Sequence, residues 1–117
     1  MLVSTPPLTL PAPPAHLLAY ASEYRLNASR AAAPAGRLIA QLKNSGQDDH
    51  DLTVRRANGG GALATTGTVH AGELGGLRLT LKPGRYVLYC SISDHEARGM
   101  RATLVISTRK KHHAANR

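Results

Sequence analysis

An all-β fold is predicted for this chain: an antiparallel Greek-key β-sandwich of about seven short strands. Three observations carry the prediction. Apolar and polar residues alternate with a period of two in several short runs, the mark of half-buried strands. Clusters of Gly, Pro, Asn, Asp and Ser separate these runs, as in sandwiches built from many short strands. The 117 residues contain no Phe, no Trp and only four Tyr, so a single modest core of Leu, Val, Ile and Ala is what the chain can build.

Residues 1–21 open with five of the seven prolines packed into the first fourteen positions. Such density excludes a helix and favours an extended arm, with at most a short helical turn between His16 and Tyr20. No Lys or Arg precedes Arg25, so the charged start of an export signal is not visible. The domain is expected over 22–108. Its first strand is predicted at 23–29. Leu38, Ala40 and Leu42 then alternate with Ile39, Gln41 and Lys43, and further strands are expected at 51–56 and, briefly, at 66–70. Leu77, Leu79 and Leu81 alternate with Arg78 and Thr80. Pro83-Gly84 suits the centre of a type II turn, which predicts a hairpin from 75–81 to 85–91. Ala102, Leu104 and Ile106 alternate with Arg101, Thr103 and Ser107 to give the last strand. Residues 109–117 are basic and without period, and read as a disordered tail.

Composition excludes several functions. No stretch approaches the ~18 uninterrupted apolar residues of a membrane helix. One cysteine excludes an intramolecular disulfide framework. Fifteen Lys and Arg against seven Asp and Glu give a net charge of +8. The basic residues are scattered, apart from Arg109, Lys110 and Lys111, and no aromatic platform exists on which bases would stack, so specific nucleic-acid binding is not expected. Five of the seven acids, Asp48, Asp49, Asp51, Asp94 and Glu96, lie within two positions of His50 or His95. Charge is organised around those two histidines.

The chemistry is concentrated in Cys90-Ser-Ile-Ser-Asp-His95-Glu-Ala-Arg-Gly-Met100, which holds the only cysteine and the only methionine besides Met1. The segment spans the end of one predicted strand and the start of the next, so one loop can present a thiolate, an imidazole and a thioether. His50 opens another strand and can bring a second imidazole to the same end. Two His and one Cys in a plane with a weak axial Met form the ligand set of a blue-copper electron-transfer site. Soft sulfur suits Cu(I) and imidazole suits both oxidation states.

The stretch from Leu81 to Ile106 resembles the C-terminal ligand segment of the cupredoxins, the plastocyanin and azurin superfamily. Asn44 to Leu52 is similar to the segment that supplies the first histidine of that family. The spacing Cys-x4-His-x4-Met resembles the rusticyanin and auracyanin type of loop. The resemblance spans about residues 23–107 and implies that His50, Cys90, His95 and Met100 hold one copper ion. It also implies that His95 is the exit for electrons and that Tyr89 stands where plastocyanins link electron uptake to a distant surface. Members of the family usually carry Asn after the first histidine, where it ties the two ligand loops; here Asp51 stands in its place.

Taken singly, these residues have ordinary readings, since a lone Cys in a strand is more often a small buried hydrophobe. Their joint spacing favours metal binding. His16, His70, His112 and His113 have no evident partner set. Asn58-Gly-Gly-Gly61 lacks the Lys-Ser/Thr and helix of a phosphate loop, and Asp48-Asp49 reads as a solvated turn. The sequence therefore implies a small type 1 copper protein, not an enzyme, carrying single electrons between redox proteins. The His-x-His and His-Cys-His motifs of multicopper oxidases and the paired cysteines of binuclear centres are absent from it. Arg98 and Arg101, flanking Met100, are expected to dominate the charge near the site and, with the net +8, to favour an acidic docking partner. A monomer working outside the cytoplasm is expected from the copper chemistry. The rival reading is a carrier that holds Cu(I) for delivery, which Cys90 disfavours.

Overall fold

The alternating runs become strands because every second residue can be placed on a shared interior face. A computed structural model describes residues 12–108; residues 1–11 of the predicted arm and the predicted tail at 109–117 lie outside that range. Nine strands are present among the described residues: β1 Ala15–Ser22, β2 Arg25–Ala28, β3 Ala32–Pro34, β4 Gly36–Asn44, β5 Thr53–Arg56, β6 Ala64–Thr65, β7 Leu74–Leu81, β8 Gly84–Tyr89 and β9 Arg101–Ser107. They form two sheets, ordered β2-β1-β4-β7 and β3-β9-β8-β5-β6.

The two sheets face each other across an aliphatic core. Leu17, Ala19 and Ala21 of β1 and Leu38, Ala40 and Leu42 of β4 project from one sheet, and Val54, Leu88, Leu104 and Ile106 project from the other. Tyr86 is the one fully buried aromatic, and its hydroxyl donates to the Lys82 carbonyl at 2.7 Å. A buried phenol needs such a partner.

The all-β sandwich agrees with the sequence, and three details differ. The sheets are mixed, because β1 runs parallel to β4, with Leu17 opposite Ala40, and β3 runs parallel to β9. Ala15 to Ala21, expected from the prolines to belong to an extended arm, belong to β1, an interior strand flanked by β2 and β4. The proline-rich stretch ends before it, and β1 is held by backbone pairing on both edges. Pro83-Gly84 does not close a hairpin. β7 pairs with β4 and β8 pairs with β5 and β9, so this connection carries the chain from one sheet to the other. β8 instead forms a hairpin with β9, and residues 90–100 are its loop.

Candidate metal centre

That long hairpin loop and the β4–β5 connection lie at the same end of the sandwich. Cys90 follows directly from β8, and its amide donates to the Met100 carbonyl at 3.1 Å, which closes the loop at its neck. Met100 in turn donates its amide to the His95 carbonyl at 3.1 Å. The chain reverses at Gly99, where φ is +124° and a Cβ would press to 3.2 Å on the Tyr24 carbonyl, so only glycine fits there without strain. His50 is fixed by a two-bond bridge to Val69, with N to O distances of 3.1 and 2.7 Å. Buried Asn44 pins the same connection, donating to the Asp48 and Val69 carbonyls at 2.8 Å each and accepting from the Gly46 amide.

The structure brings together His50, Cys90 and His95, three of the four residues that the spacing singled out, and bonds the Met100 backbone to two of them. The Cys90 sulfur lies 3.6 Å from His95 Nδ1 and 4.0 Å from His50 Nδ1, and the donor atoms of His50, Cys90 and His95 all lie within 4.8 Å of one another. Ligands bound at about 2.0–2.3 Å around one ion stand roughly 3.5–4 Å apart, so this donor set fits a single metal ion. Two imidazole nitrogens and one sulfur suit copper. His50, Cys90 and Met100 are fully buried, and His95 retains 7% exposure. Burial pushes the Cys90 thiol up from its usual pKa, so without a cation to offset the charge the thiol form is favoured.

Asp51 takes over the tie between the ligand loops. Its carboxylate accepts from the Ser91 amide at 2.7 Å, from the Ser91 hydroxyl and from the Thr53 hydroxyl at 3.1 Å. Its own amide points at the Cys90 sulfur at 3.4 Å.

Two residues at the site carried no sequence signal. Glu23, in the β1–β2 turn, places Oε2 3.0 Å from His50 Nε2, while Oε1 accepts from the Gln47 and Asp48 amides at 2.5 and 3.2 Å. These hydrogen bonds, that to His50 first, hold its carboxyl below the usual pKa. Tyr24 packs its ring 5.1 Å from that of His95, centroid to centroid, and the Arg98 guanidinium lies over the Tyr24 ring, 4.7 Å from its centroid. Both residues sit 26 or more positions from the nearest ligand in the chain, so only the fold reveals them.

Other residues fall away from the site. His70 is exposed and paired with Asp49 at 2.8 Å, and His16 lies on β1; His112 and His113 are outside the described residues. Arg55 is held by Glu96 at 2.7 Å and stacks over Tyr89 at 4.3 Å.

Neither a family model nor a curated protein matches the chain. Solved structures do. An auracyanin from the photosynthetic bacterium Roseiflexus castenholzii aligns with a TM-score of 0.68 over 83% of this chain and 99% of its own, at 16% identity. Auracyanin A, a "blue" copper protein from Chloroflexus aurantiacus, gives 0.67 over 81% and 100%, at 15% identity. An azurin from Methylomonas sp. strain J gives 0.63 over 82% and 98%, at 11% identity. The fold is that of the cupredoxins. Within this cupredoxin fold the His-Cys-His-Met spacing matches that of a type 1 copper site.

Proposed function

We propose that this protein is an electron carrier whose His50, Cys90, His95 and Met100 hold one copper ion. The observation that carries the reading is the convergence of two imidazole nitrogens and one thiol sulfur in a buried cluster, with fully buried Met100 joined to the Cys90 backbone. Copper in such a donor set accepts and returns one electron. The chain's part is to hold the donors still. Asp51 locks the Cys90 loop to the His50 loop, the Val69 bridge fixes His50, and the core excludes water from three of the four side chains. Little rearrangement is then required when the charge at the site changes.

His95 is the one member of the set with residual solvent contact, which supports it as the point of electron exchange. The partner is a redox protein that docks over the turn bearing Glu23 and Tyr24 and the loop bearing His95. No helix among the described residues is long and apolar enough to cross a membrane. Copper chemistry favours a site of action outside the cytoplasm, with the chain acting as a carrier and not as an enzyme.

A visible spectrum after addition of Cu(II) tests the reading. An intense blue or green band, bleached by dithionite and restored by ferricyanide, is expected. Cys90→Ser abolishes that band, because it arises from charge transfer out of the thiolate. A colourless wild type that binds only Cu(I) would identify a copper carrier, and a Cys90→Ser variant that stays blue would refute the ligand assignment.

A further inference from the structure

Glu23 is not a ligand, yet it is built into the centre. Its carboxylate bridges two backbone amides of the β4–β5 connection through Oε1 and meets His50 through Oε2. The nitrogen it meets is Nε2, the one that faces away from the cluster, while Nδ1 faces the Cys90 sulfur. A carboxylate can only accept at that position, so Nε2 must carry the proton and Nδ1 is left with its lone pair free.

A second feature shows that the space is reserved. Gly46 does not lie in the left-handed backbone region, so its conformation is open to other residues; yet a Cβ there would fall 1.8 Å from Glu23 Oε2. The missing side chain at 46 is the seat of the Glu23 carboxylate. Three elements thus converge on one contact: the β1–β2 turn supplies the acid, position 46 supplies the room, and His50 supplies the donor.

We infer that Glu23, seated against Gly46, is a positioning residue that fixes the tautomer of His50 and tunes the centre toward its oxidised state. The inference rests on the copper reading above. An imidazole that donates to a carboxylate is a stronger base at its other nitrogen, and hydrogen-bond partners of this kind commonly change metal affinity by about 10–100-fold. Extra negative charge and basicity favour Cu(II) over Cu(I). Glu23 therefore lowers the reduction potential.

Three full-length proteins test this: wild type, Glu23→Gln and Gly46→Ala. Glutamine offers the same oxygen to the Gln47 and Asp48 amides but turns an NH2 toward Nε2, which removes the charge and reverses the hydrogen bond. In metal-free protein at pH 8, imidazole nitrogen NMR should find His50 protonated at Nε2 in the wild type and shifted to Nδ1 in Glu23→Gln. In copper-loaded protein, Glu23→Gln should lower the Cu(II)/Cu(I) affinity ratio about tenfold, a rise of about 59 mV. Gly46→Ala should move the potential the same way, since it leaves the charge in the chain and breaks the contact.

A wild-type His50 protonated at Nδ1, or three equal potentials, would overturn the inference and reduce Glu23 to a clamp on the loop. A shift in Glu23→Gln with none in Gly46→Ala would also overturn it, because the charge would then act from a distance and not through Nε2. Failure of the copper reading gives a different result: no blue colour in the wild type, with the metal-free tautomer still reporting on the Glu23 contact.

Discussion

In the proposed site, Met100 is the residue that separates an electron carrier from a protein that merely holds metal. Its side chain is fully buried and its backbone is bonded to both Cys90 and His95, so the neck of the loop fixes its place whatever the side chain is. An axial thioether is a long, weak ligand that contributes little to binding and much to the balance of oxidation states. Met100→Leu removes a donor, keeps the volume nearly constant, and should raise the potential with the blue band retained. Met100→Gln offers a harder oxygen and should lower it. Each change is expected to reach about 59 mV, the equivalent of tenfold in relative affinity, measured by voltammetry. Equal potentials in wild type and both variants would remove Met100 from the coordination sphere. At this scale the cluster was legible, because Cys90, His95 and Met100 fall on one loop with a diagnostic spacing. Glu23 and Tyr24 were not, because their contacts with His50 and His95 exist only after β1 is laid beside β4.

Among the elements, the two ligand loops depend on each other through Asp51. A buried carboxylate that satisfies the Ser91 amide and two hydroxyls makes the kind of tie that the resemblance implies for Asn in the family, with one more acceptor. Asp51→Ala leaves the Ser91 amide without its partner, and an orphaned buried donor costs about 1–3 kcal/mol; a loss of roughly 2–3 kcal/mol is expected in urea unfolding of the metal-free protein. Asp51→Asn keeps an oxygen for the amide and should cost less than about 1 kcal/mol. Equal losses in the two variants would show that the tie depends on more than that acceptor. Strands β4, β7 and β9 were legible because each shows a largely polar outer face, and the alternation in β4 survives Ile39 on the outside; β8, buried over Tyr86 to Leu88, was legible only from the turn residues before it. β1 was hidden. Leu18 and Tyr20 lie on its outer face while Ala19 and Ala21 lie inside, so hydropathy barely alternates, and the prolines just before it dominate the composition. Pairing partners were likewise illegible: Pro83-Gly84 has the chemistry of a turn whether the chain returns to its own sheet or crosses to the other.

Over the whole molecule, the acidic side chains are confined to one end, which the net value of +8 conceals. All seven carboxylates lie at the ligand end: Glu23 on His50, Asp48, Asp49 and Asp51 around it, Asp94 and Glu96 on the Cys90 loop, and Glu73 against His70. Arg37, Arg56, Lys82 and Arg85 gather at the opposite end, where β4 begins and β7 passes to β8, while Arg25 and Lys43 lie at the ligand end, beside the β1–β2 turn and at the end of β4. Arg98, expected from sequence to dominate near Met100, is bonded to Asp94 at 2.8 Å, and Arg55 is bonded to Glu96. Of the arginines flanking Met100, only Arg101 is not so engaged. Distance then decides which end a partner feels. β8 runs from Gly84 to Tyr89 and leads directly to Cys90, so its far end lies roughly 20 Å from Cys90 at about 3.3 Å per residue, whereas the Debye length at 0.1 M salt is about 10 Å. The distant cations are screened, so the local acids are expected to govern close approach to His95. Above about 0.1 M, where this screening already holds, oxidation by a tripositive cobalt complex should slow as salt is added, and oxidation by hexacyanoferrate should quicken. We propose that a partner suited to such a surface presents cations at the contact, where the net charge alone leads one to expect an acidic face. Stopped-flow rates with the two oxidants decide the matter: salt dependences of the reverse sign would mean that the net positive charge controls docking, and that the acids around His50 and His95 serve the fold alone.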